Sequence, residues 1–298
     1  MKFSTLLIVV FCGLLFSTSV YSTEKQCEQI EAPIVFDQYG LPTLELIING
    51  ESNFALIDLG SRAGIHLPVS TISSISNVKY TGETSNTTNI SGEVFTSKEF
   101  VVPMMAIGCM KFENIIGYEL NPWAASIGDK PEGEEENLQL VIGQGFFGDK
   151  QIVIDYLNKK LTVSNKNSAL ESTDNSKFKP YELSDEGITI QMSSSLADYQ
   201  MVLDTGASSS IFSLNKVDNN EPLTECNYDL GPDVQCKIFT SEVNIAGFSF
   251  VPNLLLYPID PRFTKDGLLG SDFFNKFTVA LDFSNNRIAI SPNESSKL

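Results

Sequence analysis

Apolar residues along this chain fall in short runs broken by Gly, Asn, Asp and Ser, and no long stretch has helical periodicity. The runs at 44–49, 54–57, 101–105, 152–154 and 160–163 are rich in β-branched and aromatic residues. Those at 188–192, 201–203, 237–245, 279–283 and 287–290 behave alike. Such runs predict strands. Asn158-Lys159 and Asn285-Asn286 sit where two-residue hairpin turns belong. The helical candidates are brief, at 144–147 and 271–276. A polar stretch at 165–179 reads as a linker. The pattern predicts a mainly β protein.

The first 22 residues stand apart. Lys2 precedes an apolar run from Leu6 to Phe16, followed by small and polar residues with Val20 and Ser22 at the positions a signal peptidase reads. This is the layout of a cleaved secretory signal peptide, and the run is short for a bilayer span. The reading is an exported protein, periplasmic or secreted, with no membrane attachment after cleavage. The mature chain keeps Cys27, Cys109, Cys226 and Cys236. An even count in an exported chain suggests disulfides. Cys226 and Cys236 flank a turn and are paired first, and Cys27 with Cys109 follows by elimination. Free buried thiols are the alternative.

Charge narrows the chemistry. The 298 residues carry 20 Lys+Arg against 37 Asp+Glu, a net charge of −17, and one His. That balance argues against a nucleic-acid partner. A single His excludes a three-histidine zinc site, and no CxxC pair is present, so no metal or other cofactor is expected. The acidic run of Glu132, Glu134, Glu135 and Glu136 reads as a solvated loop, because calcium needs spaced oxygen ligands. His66 reads as structural, and Trp123 as a pocket residue or a loop anchor. Asn86, Asn89 and Asn293 each open an N-glycosylation pattern.

The chain repeats itself. FALIDLGSRAGIHLP, from Phe54, matches QMVLDTGASSSIFS, from Gln200. Downstream, Ile142-Gly143 matches Leu269-Gly270, Phe146-Phe147 matches Phe273-Phe274, and Asp155-Tyr156 matches Asp282-Phe283. Asp155 and Asp282 precede the hairpin turns and read as turn-capping residues. Each half has one Asp-x-Gly turn after an apolar strand. If the halves pair about a pseudo-twofold axis, Asp58 and Asp204 face each other. Two carboxylates that close share a proton, so one can act as base and the other as acid. The ionised member activates a water, and the protonated member polarises the scissile carbonyl.

Asp204-Thr205-Gly206-Ala207-Ser208 resembles the active-site motif of the pepsin/retropepsin-type aspartic peptidases. Leu268-Leu269-Gly270 and Val141-Ile142-Gly143 resemble the apolar-apolar-Gly element that packs behind it. The resemblance covers roughly 34–290. It implies an all-β, two-lobed fold with a pseudo-twofold internal repeat, like two fused retropepsin-like units. The lobes are then 23–164 and 180–298. It also implies catalysis by Asp58 and Asp204, supported by turns containing Gly60, Ser61, Thr205, Gly206, Gly143 and Gly270. A flap hairpin is expected near 80–95. The substrate is a peptide or protein with apolar side chains flanking the cut, cleaved best in acid, and the site forms within a monomer.

One departure matters. Leu59 stands where the family has Thr or Ser, hydroxyls that bond across the lobe interface. Thr205 is then expected to lose its symmetric partner, leaving a buried hydroxyl unsatisfied unless Ser61 or a water compensates. This opens the alternative of a non-catalytic homologue that binds peptides or proteins. A structural surface protein is a third class, supported by the acidic, exported character alone.

Overall fold

The computed structural model describes residues 27–121, 140–165, 178–228, 230 and 234–293. The expected signal segment, Trp123, the acidic run and most of the 165–179 linker lie outside the described residues. So do Glu294 and Ser295 of the third glycosylation pattern.

The first half builds an eight-stranded sheet. Its order is Val35–Phe36, Pro42–Ile48, Glu51–Ile57, Leu140–Ile142, Ile65–Leu67, Met110–Glu119, Val94–Ile107 and Lys79–Thr88. A pairing of Ile47 with Ala106 closes it into a barrel-like shape. The second half repeats the centre of this arrangement. Its path runs Leu223–Glu225, Lys237–Phe239, Leu254–Tyr257, Ile211–Ser213, Gly267–Leu269, Asp198–Leu203, Gly187–Ser193, Val243–Ile245 and Phe248–Phe250. Alternation places Leu44, Leu46 and Ile48 inward and Glu45 outward on one strand. Each such buried aliphatic side chain contributes about 1.5–3 kcal/mol relative to exposure.

The repeat holds at the level of register. In the first half Ile57 pairs parallel with Ile142, and Ile65 pairs antiparallel with the same residue. In the second, Leu203 pairs parallel with Leu269, and Ile211 pairs antiparallel with Leu268. The apolar-apolar-Gly strand is thus sandwiched in each half between the strand entering the Asp turn and the strand leaving it.

A third sheet joins the halves. Its order is Gln29–Pro33, Lys160–Ser164, Gln151–Asp155, Phe277–Asp282, Arg287–Pro292 and Lys179–Pro180. The central pair is antiparallel, with Gln151 opposite Asp282 and Ile154 opposite Val279, as a twofold between two copies requires. The repeated aromatics cross over as well. Phe147 stacks on Phe283 at 5.9 Å, and Tyr156 stacks on Phe274 at 5.4 Å.

Several local expectations are corrected. The two hairpins of the joining sheet close through four residues, since Asp155 pairs with Lys160 and Asp282 with Arg287. Lys159 and Asn286 take the left-handed conformation there. The longer loop is stabilised by its aspartate: Asn158 donates to Asp155, and Asn285 donates to Asp282, through backbone and side chain. The run at 237–245 is broken. Thr240 turns aside to donate to Pro222 O, and Ser241 Oγ donates to the buried Glu221. A short helix, Val69–Ser74, follows Pro68 and buries Ile72; the other helices among the described residues are Gln144–Phe147 and Ser271–Phe274. Disulfides join Cys27 to Cys109 and Cys226 to Cys236.

Candidate active site

Asp58 and Asp204 each leave the end of a central strand. Asp58 N–H donates to Ile142 O at 2.9 Å, and Asp204 N–H donates to Leu269 O at 3.0 Å. The chain then turns tightly, with Ser61 N–H on Asp58 O and Ala207 N–H on Asp204 O. The apolar-apolar-Gly elements hold these turns from behind. Gln144 N–H donates to Ser61 O, and Ser271 N–H donates to Ala207 O, both at 2.9 Å. A Cβ on Gly143 would stand 2.5 Å from the carbonyls of Ser61 and Ala63, and one on Gly270 would stand 2.7 Å from Ala207 O. Only glycine lets those backbones approach.

The two turns meet face to face. A Cβ on Gly60 would lie 2.7 Å from Asp204 Cγ, and one on Gly206 would lie 2.8 Å from Asp58 Cγ. Each glycine therefore makes room for the carboxylate of the opposite half. The carboxylates are hydrogen-bonded to each other. Asp58 Oδ1 accepts from Gly60 N–H at 2.8 Å and Ser61 N–H at 3.2 Å, and Asp204 Oδ1 accepts from Gly206 N–H at 2.9 Å.

The pair is electrically unequal. Burial raises the pKa of Asp58, opposed by the donors Gly60, Asp204 and Ser61. Burial raises Asp204 further, and the adjacent negative charge of Asp58 adds to it, so Asp204 sits well above the ordinary carboxylate range. The two titrate as a unit, so the steps in which protons leave belong to the pair. Tyr156 lies buried nearby. Desolvation, and then the charges of Asp204 and Asp58, push its phenol far upward and keep it neutral.

Thr205 corrects the expectation drawn from Leu59. Its hydroxyl is fully buried yet satisfied, because it donates to Ile57 O at 2.7 Å and accepts from Leu59 N–H at 2.9 Å. The partners are backbone groups of the opposite half, which Leu59 supplies as well as any residue would. The Leu59 side chain is itself fully buried in the main core. It replaces a polar brace with apolar packing. The Gln144 side-chain amide adds a bond to Leu59 O.

His66 is also closer to the chemistry than its sequence context shows. It is buried, and its Nε2 lies 2.8 Å from Ser61 Oγ, beside the Asp58 turn. Desolvation lowers its pKa to about 4, so it is neutral at pH 7. The second half uses other parts. Ser210 Oγ accepts from Gly270 N–H at 2.9 Å and donates to Asp272 at 2.7 Å. Gln144, Ser210 and Asp272 carried no distinct signal in the sequence. Gln144 directly follows Gly143 and Asp272 lies two residues after Gly270, and that position beside the repeat's glycine elements is their one hint.

Strands Lys79–Thr88 and Val94–Ile107 form a long hairpin in the region expected for a flap, with a bulge between Tyr80 and Thr84. Its tip, residues 89–93, reaches the second half.

No family model matches this chain, and no curated protein matches it by sequence. Solved structures do match by shape. The chain is similar to the aspartic proteinase from Irpex lacteus, with a TM-score of 0.56 at 13% identity, over 90% of this chain and 98% of that one. It is similar to the basic 7S globulin from soybean, with a TM-score of 0.58 at 12% identity, over 91% and 97%. At these identities the likeness shows the fold.

Proposed function

We propose that this chain, whose fold is the two-lobed pepsin-like one, is an exported aspartic endopeptidase. The observation that carries this reading is the Asp58–Asp204 pair. Each carboxylate rests against the glycine of the opposite turn, and burial raises the pKa of both. The fold alone does not decide activity, since it serves both a proteinase and a globulin.

The chemistry follows from the inequality of the two acids. Ionised Asp58 takes a proton from a water between them, and the hydroxide oxygen bonds to the scissile carbonyl carbon. The proton of Asp204 passes to the carbonyl oxygen, giving a neutral gem-diol and an ionised Asp204. The proton on Asp58 then moves to the amide nitrogen, one gem-diol O–H returns its proton to Asp204, and the C–N bond breaks. Both carboxyls end as they began. The N–H donors at Asp58 favour its charged form, which suits it to the role of base.

Export rests on the leader-like segment 1–22 together with the two disulfides. Both halves of the site come from one chain, so a monomer suffices, and sedimentation should give a single-chain mass. The second reading, a peptide-binding protein that does not cut, is favoured by Leu59, an apolar residue where the catalytic motif has a hydroxyl. A cleavage assay separates them. Purified mature protein is given a mixed peptide library across acidic pH, with and without a statine-type inhibitor, beside Asp204→Asn. The expected result is a bell-shaped pH–rate profile. The rate falls at low pH as Asp58 protonates and at high pH as Asp204 ionises. Cleavage should be lost with inhibitor, and reduced by at least about 10²–10⁴-fold in Asp204→Asn. Cleavage that survives Asp204→Asn refutes the dyad. Folded protein that retains peptides without cutting them establishes the second reading.

A further inference from the structure

The tip of the long hairpin is bonded to the opposite half. Asp260 N–H donates to Ile90 O at 2.9 Å, and Arg262 Nη2 donates to Gly92 O at 2.5 Å. Arg262 is aimed by Asp260, which accepts from its Nε at 2.8 Å and its backbone N–H at 2.9 Å. Gly92 has φ +89°, and a Cβ there would stand 2.1 Å from Asp260 Oδ2. The contact is therefore close enough to require glycine. Between these bonds, Ile90 packs against an apolar cluster of Val202, Ile211, Ile259 and Leu268, edged by Tyr257 and Phe263.

Both sides of this contact are shaped in advance. At the tip, Asn89 Oδ1 accepts from the backbone N–H groups of Ser91 and Glu93, and Gly92 N–H donates to Asn89 O. On the receiving side, Lys216 Nζ donates to the carbonyls of Phe263, Thr264 and Lys265. Glu186 accepts from both the N–H and the hydroxyl of Thr264. The loop that carries Asp260 and Arg262 is thus tied down from two directions, and the hairpin closes onto a fixed seat.

The position of that seat gives the contact meaning. Val202 lies near the end of the strand that leads into Asp204 and pairs with Leu268, which places its Cα about 6–7 Å along the chain from that of Asp204. Ile90 therefore packs on an apolar cluster that includes the strand entering Asp204, and the hairpin tip bridges the two halves.

We propose that the hairpin tip is an autoinhibitory latch: Ile90 occupies the apolar recess beside Asp204 that a substrate side chain takes, and Asp260 and Arg262 hold it there. This rests on the peptidase reading for its substrate and on the tip geometry for the latch. Entry of an extended peptide then requires breaking both backbone bonds and withdrawing Ile90. The residue that replaces Ile90 in the recess should be of similar size and branching, so the peptide position beside Asp204 should favour Ile or Val over charged residues.

Two variants of the mature protein test this, Ile90→Ala and Arg262→Gln, with two readouts. Arg262 is exposed, so its loss leaves the core intact if the Ile90 change disturbs folding. The first readout is hydrogen exchange at the Asp260 amide, which needs no activity. The second is the association rate of a statine-type peptide. The latch predicts that both rise in each variant, by about tenfold or more for a contact worth 1.4 kcal/mol. Exchange and association unchanged from wild type overturn it. So does faster exchange with unchanged association, because the tip would then be a structural contact that does not control entry. If both rise and no variant cleaves peptide, the latch stands and the peptidase reading falls.

Discussion

Replacing Thr205 by valine removes one oxygen and nearly preserves the shape of the side chain. The oxygen removed serves two backbone groups of the other half, Ile57 O and Leu59 N–H, at a fully buried position. Each buried polar group left without a partner costs about 1–3 kcal/mol, so the expected loss is about 2–6 kcal/mol. A domain of this size loses about 2–4 °C per kcal/mol, which predicts a fall in melting temperature of about 4–24 °C. The same bonds hold the Asp58 turn against the Asp204 turn. A shift of about 1 Å between reacting groups is enough for a drop of about 10²-fold in kcat. Thr205→Ser keeps the oxygen and should recover most of both losses. Thermal unfolding followed by circular dichroism, run beside the peptide assay, reads both quantities. A valine variant melting within about 2 °C of wild type, with its rate unchanged, refutes the argument that this hydroxyl braces the halves.

Two further predictions concern stability. His66 has a folded pKa of about 4, below its ordinary 6.5. The unfolded chain therefore takes up a proton as pH falls through 6.5, while the native site resists until about 4. Stability drops across that window by about 3 kcal/mol from this group. His66→Gln should flatten the dependence of denaturant midpoint on pH between 6.5 and 4, and an unchanged slope would show that His66 does not set it. The disulfides close loops of very different length, with separations of 82 and 10 residues. Loop-closure entropy assigns about 4–5 kcal/mol to Cys27–Cys109 and about 2–3 kcal/mol to Cys226–Cys236. Replacing the first pair by alanine should lower the denaturant midpoint more than replacing the second, and the reverse order would contradict the entropic account.

Much of the site was legible because the chain states it twice. Asp58 and Asp204, with the glycines two residues on, stand out when the halves are aligned. Gly143 and Gly270 stand out the same way, and the close approaches at all four glycines supply the reason. The consequence of Leu59 was not legible. A substitution at that position removes a side-chain hydroxyl, but the bonds that Thr205 makes go to backbone atoms, which every residue carries. His66 was read as structural because nothing in its neighbourhood marks it. Its link to Ser61 arises where the chain leaves the Asp58 turn and enters the next strand. The hairpin loops of the joining sheet were expected to be two residues long, and they are four, because an aspartate accepting from an asparagine backbone and side chain stabilises the wider turn.

The sequence by itself determined the mainly β class, the duplication, the pair of acid turns and the exclusion of a three-histidine zinc site. These follow from local periodicity and from residue identities that recur at matching places. The tertiary structure alone decided how burial and mutual charge raise the two acids unequally, how Thr205 is satisfied and where the hairpin tip rests. Each of those depends on groups distant along the chain: Asp204 on the charge of Asp58, Thr205 on Ile57 and Leu59, Ile90 on a recess built from Val202 to Leu268. A pattern of residues specifies which surfaces are apolar and where the chain can turn. The distances between surfaces are fixed once the two halves pack, and both the inequality of the acids and the latch are properties of those distances.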